Sequence, residues 1–135
     1  MKLIQIAQRA VDLDRASEFY TRLLGAGPTV RFDPPGLLFF DLEGVRLLLD
    51  SGAPTSLIYL DVDDVEVLIP ELRAAGTKVI QEPQFVYSHV DGRLGPAGTD
   101  EWMAFVEDSE GNTVGLVSRK PKAGHPPSGI VAPGH

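Results

Sequence analysis

The chain has 135 residues, 43% of them hydrophobic, a formal net charge of −7 and no cysteine. That length suits one domain with a real core. The missing cysteine excludes disulfides, zinc–thiolate sites and a cysteine nucleophile. There is no basic run for phosphate contacts and no apolar stretch near ~18 residues, so neither nucleic acid nor a membrane is an expected partner. The acidity reads as solubility, and the start of the chain lacks the pattern of a signal peptide, which makes a cytoplasmic protein the expectation.

In chain order, Lys2–Ala10 is predicted as the first strand. Asp12 is a candidate helix N-cap, because its carboxylate can accept the free N–H groups of a first turn. Leu13, Ala16, Tyr20, Leu23 and Leu24 then recur at helical spacing, and Gly25, Gly27 and Pro28 stop the helix. Thr29–Phe32 reads as a short strand and Asp33–Gly36 as a turn. Leu37–Leu42 and Val45–Asp50 form a predicted hairpin around Glu43-Gly44. After a linker, Leu57–Val62 is a strand. Asp63 or Asp64 caps a helix over 64–75 with Val65, Leu68, Ile69 and Leu72 on its apolar face. Pro70 is expected to distort that helix. Thr77–Gln81 is a strand, 82–100 a long loop, and Trp102–Glu107 with Thr113–Ser118 a last hairpin around Asp108–Asn112. Residues 121–135, rich in Pro and Gly, read as a tail without periodicity.

The chain repeats itself. IQIAQRAVDLDRA at 4–16 and SLIYLDVDDVEVL at 56–68 both run from an apolar strand through an acidic turn into an amphipathic helix. FFDLEGVRLLL at 39–49 and AFVEDSEGNTVGLV at 104–117 close each half with strand, turn and strand. Two copies are too few for a solenoid. The expected fold class is α+β, with two pseudo-symmetric βαβββ modules (1–52 and 55–120) curving mixed sheets around one central cavity in a single domain over 1–120.

With VDLDRASEFYTRLLG at 11–25, the FFDLEGVRL hairpin and WMAFVEDSEGN at 102–112, residues 3–119 resemble the vicinal oxygen chelate superfamily. Its members include glyoxalase, methylmalonyl-CoA epimerase, extradiol dioxygenases and the bleomycin- and fosfomycin-resistance proteins. The resemblance implies metal ligands on the first and last strand of each half. The first stands seven residues before the acidic turn residue, at Gln5 and Leu57, and the last four residues after the turn glycine, at Leu48 and Gly115. Leu and Gly offer a divalent metal no donor side chain, and one neutral Gln does not hold it. The expectation is therefore no metal and no cofactor; His89 and Glu101 can supplement Gln5 only in a rearranged site. Homodimers are common in the superfamily, and a homodimer is expected on that ground.

Strand alternation groups Gln5 with Leu3, Ala7 and Arg9, and places Arg46, Tyr59, Asp61, Thr113 and Val117 on the same face as the four ligand positions. Each polar candidate has a functional and a plain reading. Arg9 matches an Arg that in some glyoxalases helps hold a glutathione carboxylate; it can equally pair with Asp61, its repeat mate. Arg46 suits a ligand carboxylate or phosphate, or reaches Asp41, Glu43 or solvent. His89, in the long loop with Gly92, Gly95 and Gly98, is an acid–base candidate over a cavity mouth or a bystander. Tyr87 and Trp102 can stack on a planar ligand, although Trp102 also fits a core. Asp108–Asn112 looks like a cation loop but lacks the remaining ligands of one, so it reads as a hairpin turn. The ligand-binding set is thus Gln5, Arg9, Arg46, Leu48, Leu57, Tyr59, His89, Trp102 and Gly115, and no catalytic residue is assigned. The favoured function is metal-independent binding of a small organic molecule, as in metal-free resistance members. The alternatives are a metal-independent isomerase or lyase, and a lactoylglutathione lyase or epimerase with displaced ligands.

Overall fold

Asp12 starts the first helix as its side chain suggests. Its backbone is extended and its carboxylate accepts the Arg15 N–H at 3.0 Å. The computed structural model describes residues 1–122, so all but the first two residues of the expected tail lie outside it. The elements are β1 (Gln5–Arg9), α1 (Leu13–Leu24), β2 (Val30–Phe32), β3 (Leu37–Leu42), β4 (Val45–Asp50), β5 (Ile58–Asp61), α2 (Val65–Ala74), β6 (Lys78–Ser88), β7 (Thr99–Glu107) and β8 (Thr113–Pro121). The fold is α+β with two βαβββ modules. One compact unit comprises Met1–Leu57 with Asp108–Asn112, and the other comprises Ile58–Glu107 with the chain from Thr113.

In the first unit the sheet order is β1-β4-β3-β2, with β1 parallel to β4 and the other pairs antiparallel. Alternation sends Leu38, Phe40, Leu47 and Leu49 to one face, where they are fully buried with Ala16 and Tyr20 of α1. The Tyr20 and Phe40 rings lie 6.1 Å apart in that core. The helix ends at Gly25, whose left-handed backbone returns its N–H to the Thr21 carbonyl.

The turn Asp108–Asn112 completes this unit. Buried Asp108 accepts four hydrogen bonds: from the Tyr20 hydroxyl at 2.6 Å, the Glu110 and Asn112 N–H groups at 2.8 Å each, and Asn112 Nδ2 at 2.9 Å. Burial, and then the negative charge of Asp108, push the Tyr20 hydroxyl far above its ordinary pKa, so it stays a donor. Glu110 accepts the N–H groups of Val11 and Asp12 at 2.9 and 3.0 Å and pairs with Arg15 at 2.7 Å. The acidic turn is therefore supplied with donors by the chain itself.

The second unit has the order β5-β8-β7-β6. α2 packs on β6, β7 and β8 and buries Val65, Ile69 and Leu72 against Ala104, Val106, Val114 and Leu116. Asp64, not Asp63, is its N-cap, and the helix runs through Pro70 to Ala74. Among the described residues no helix is long and apolar enough to cross a membrane.

Nearly half of the expected loop over 82–100 is strand. β6 continues to Ser88 and β7 begins at Thr99, so the connection shrinks to 89–98. Register shifts between Val79 and Gln81, Gln81 and Gln84, and Phe85 and Tyr87 break the period of two that marks a strand. Pro83 is tolerated because β6 is the edge of its sheet. β8 likewise runs beyond Ser118 to Pro121.

Two predictions follow from the acidic turn. Asp108→Ala strands the Tyr20 hydroxyl and three further donors in a buried place, and should cost about 3 kcal/mol or more in urea unfolding. Glu110 carries the pH dependence. Burial alone would raise its pKa, but Arg15, the Asp12 N–H, Ser109 and the Val11 N–H outweigh it and hold the carboxyl at about 2. Its contribution is complete above the unfolded carboxyl pKa of about 4.3 and disappears as pH falls through about 2. Because Arg15 is half exposed, the loss should be about 1–2 kcal/mol after solvent screening. Glu110→Gln should flatten the stability profile between those pH values.

Candidate functional site

Each sheet has a helix on one face only, so strand register decides which side chains remain on the other. In the first unit Gln5 pairs in register with Arg46, and Leu48 with Ala7 and Phe39. Arg46 therefore shares with Gln5, Arg9 and Leu48 the face opposite α1, as alternation predicts. Arg46 Nε donates to Gln5 Oε1 at 3.0 Å. The rest of the exposed guanidinium has no ion pair among the described residues.

In the second unit Tyr59 and Gly115 are register partners on the face away from α2. The Tyr59 ring lies directly on Gly115. A Cβ there would stand 2.7 Å from Tyr59 Cδ2, 3.0 Å from Cε2 and 3.2 Å from Phe105 Cε2. Phe105 meets Tyr59 edge-on at 5.8 Å and 79°, yet Tyr59 remains 52% exposed. Leu57, also 52% exposed, precedes β5 and falls in the first unit.

Arg9 and Asp61 do not behave as a pair. Asp61 is held by Arg119 at 3.0 Å, within its own unit, and Arg9 has no ion pair among the described residues. Trp102 is not brought together with Tyr59 and Gly115. It pairs with Ser118, on the face that carries α2, and stacks edge-on with Phe85 at 6.1 Å. Lys120 lies 5.2 Å from its ring while bonding Asp64 and Glu66 at 2.7 and 2.6 Å. Alternation from Gly115 through Phe105 to Trp102 already implies opposite faces, and Trp102 is half-buried on the α2 side.

His89 is buried rather than exposed, just beyond β6. Its Nε2 lies 2.8 Å from Glu101 Oε1, and the Tyr87 ring is 4.4 Å away. In sequence Glu101 stands beside His89 only as a supplement to Gln5 in a rearranged metal site. Its pairing with His89 depends on the bulged register of β6 against β7, which a regular alternation does not reproduce.

The residues at the family metal positions do not fit a metal. Leu48, Leu57 and Gly115 bring no donor atom, and Gly115 is covered by the Tyr59 ring. The one donor, Gln5 Oε1, already faces a guanidinium, whose charge repels a cation. Among the described residues no group of three or more His, Asp or Glu side chains could hold a metal ion. A separate hollow of about 490 Å³ beside the start of α1 is lined by Asp12, Asp14, Arg31 and Asp33. Its charges are used internally, with Arg31 bonded to Asp14 at 2.6 Å and Asp33 at 3.1 Å.

Residues 2–116 match the model of the glyoxalase/bleomycin resistance protein/dioxygenase superfamily. A lactoylglutathione lyase of Arabidopsis thaliana is 28% identical over 138 aligned residues, which cover 89% of this chain and 45% of the relative. The chain thus spans about half the length of the curated relative it matches. Two solved structures share the fold. A lactoylglutathione lyase from Agrobacterium tumefaciens has a TM-score of 0.62 and 22% identity, over 87% of this chain and 92% of the other. A glyoxalase/bleomycin resistance protein/dioxygenase from Alicyclobacillus acidocaldarius has 0.59 and 16%, over 87% and 91%.

The packing on Gly115 is directly testable. Gly115→Glu puts a carboxylate at a family ligand position, but the new Cβ must displace Tyr59. The variant should be destabilised by about 1–3 kcal/mol and should gain no nickel or cobalt binding in a calorimetric titration.

Proposed function

Because the chain belongs to the glyoxalase/bleomycin resistance protein/dioxygenase superfamily, we propose that it binds a small organic molecule without a metal, using Arg46 as the fixed positive charge of the site. The observation that carries this is the Gln5–Arg46 pair. Gln5 anchors Nε at 3.0 Å, and the two terminal nitrogens of the guanidinium make no ion pair among the described residues. Such a free fork suits a carboxylate or a phosphate, which it can engage by two parallel hydrogen bonds. This is notable in a chain with 19 acidic and 12 basic residues, where internal carboxylates are plentiful. Leu48 and its register partner Phe39, on the same face as Arg46, supply apolar surface for the rest of the ligand, while Asp41, the register partner of Arg46, makes no ion pair with it. Gln5 then acts as a positioning residue for Arg46, in place of its family role as a metal ligand.

The reading gives charge the leading part in recognition. Benzoate should bind more tightly than benzamide, which has the same shape and no charge. Arg46→Gln should remove that preference and cost benzoate about tenfold or more in affinity, because a charge-assisted hydrogen bond contributes about 1.5–3 kcal/mol. Benzoate and benzamide binding equally well, measured by calorimetry on the wild-type chain, would sink the proposal.

A further inference from the structure

We propose that the end of the β6–β7 hairpin carries a second, separate site, in which His89 accepts a proton from the hydroxyl of a single-ring phenol. The site is a hollow of about 360 Å³ lined by Tyr87, His89, Val90, Leu94, Asp91 and Arg93. That volume suits a small ligand. None of these residues belongs to the Arg46 site.

His89 is built into this hollow in a way that closing a hairpin does not require. The backbone already closes it, through His89 N–H to Thr99 O and Gly98 N–H to His89 O, both at 2.8 Å. A buried imidazole–carboxylate pair adds little stability that an apolar pair would not. Here His89 is 4% exposed and Glu101 7%. Glu101 is a carboxylate acceptor at 2.8 Å, so the proton sits on Nε2 and the lone pair on Nδ1. Nδ1 makes no hydrogen bond among the described residues, and His89 lines the hollow. The basic nitrogen is thus the one without a partner.

The ring is also held still. The Gly95 backbone lies against it so closely that a Cβ would stand 2.7 Å from Cε1, 2.9 Å from Nε2 and 3.1 Å from Nδ1. Tyr87 packs on it at 4.4 Å between ring centres, tilted by 51°. A nitrogen base oriented by a carboxylate and fixed by packing is the arrangement that general-base catalysis uses.

The walls set the ligand class. Tyr87, Val90 and Leu94 offer apolar and aromatic surface, and Arg93, held by Asp91 at 3.0 Å, is a cation at the rim. A flat apolar body with one weakly acidic O–H matches both. On binding, the O–H bond of the phenol breaks and an N–H bond forms at Nδ1. The imidazolium then faces Glu101, and the phenolate faces Arg93. Tyr87 from β6 and Asp91 in the loop line the same hollow, and Arg119 on β8 is the register partner of Glu101. Tyr87 is raised chiefly by burial, with Glu101 adding and Arg119 opposing, so it remains a neutral phenol itself.

The test uses the full chain and 4-nitrophenol, whose absorbance distinguishes phenol from phenolate, at a pH where the free probe is neutral. Saturable growth of the phenolate band on adding wild-type protein is expected. Its absence at millimolar protein would overturn the proposal. His89→Gln, with its fold checked by near-ultraviolet circular dichroism, should lose the band and bind at least tenfold more weakly; an unchanged band would overturn it. Leu94→Trp fills the hollow from a residue that is 78% exposed, so it tests the same point should His89→Gln fail to fold. It should also abolish the band, and retention would count against the site. 4-Nitroanisole, which lacks the hydroxyl, should bind at least tenfold more weakly than the phenol; equal binding would show that no proton acceptor is involved.

Discussion

Each four-stranded sheet in this protein has a single helix of its own, and that shortage governs the rest. A sheet has two faces, and α1 or α2 covers one of them. In the regular strands alternation then sorts each residue onto that covered face or the opposite one. On the covered face of the first sheet stand Leu38, Phe40, Leu47 and Leu49, all buried. On the other stand Gln5, Arg46, Leu48 and Phe39. The polar character of that second face is the chemical resource from which a binding function can be built.

Electrostatics divides the acidic residues into two kinds. Those of the 108–112 turn face inward and are answered by donors: Tyr20, Arg15, and the backbone N–H groups of Val11, Asp12, Glu110 and Asn112. A motif that resembles a cation loop in one dimension is thereby a structural clamp, because its oxygens are already engaged. Asp64 and Glu66 share Lys120 at the start of α2, and Lys120 holds the Asp64 carboxyl below its usual range. These groups stabilise helix starts, which favour negative charge.

The superfamily hosts unrelated chemistries on one scaffold, so membership defines a framework and leaves the chemistry to the site. In this chain the family ligand positions have changed character in two different ways. Gln5 keeps an oxygen but lends it to a guanidinium, which places a fixed cation near where a metal ligand would stand. Gly115 has lost its side chain, and the space is taken by the Tyr59 ring.

Most of the framework was legible in the sequence because its signals are local. Asp12 and Asp64 cap helices through hydrogen bonds two or three residues away, Gly25 ends a helix by its own backbone, and the Glu43-Gly44 hairpin needs only its two strands. The repeat and the alternation from Gln5 and Leu48 placed Arg46 on the face opposite α1. Where contacts are distant or the period slips, sequence reasoning failed. The bulges of β6 hid seven strand residues inside an expected loop, and with them the pairing of His89 with Glu101. Asp61 pairs with Arg119, and Trp102 turned toward Lys120, because partners far apart in the chain meet only on folding. The sequence by itself determined the modules, the helix caps and the absence of donors at Leu48, Leu57 and Gly115, since these depend on residue identity and near neighbours. Tertiary structure alone decided that His89 is buried on a carboxylate and that Tyr59 fills the space above Gly115, since both depend on which side chains register brings within about 3–4 Å.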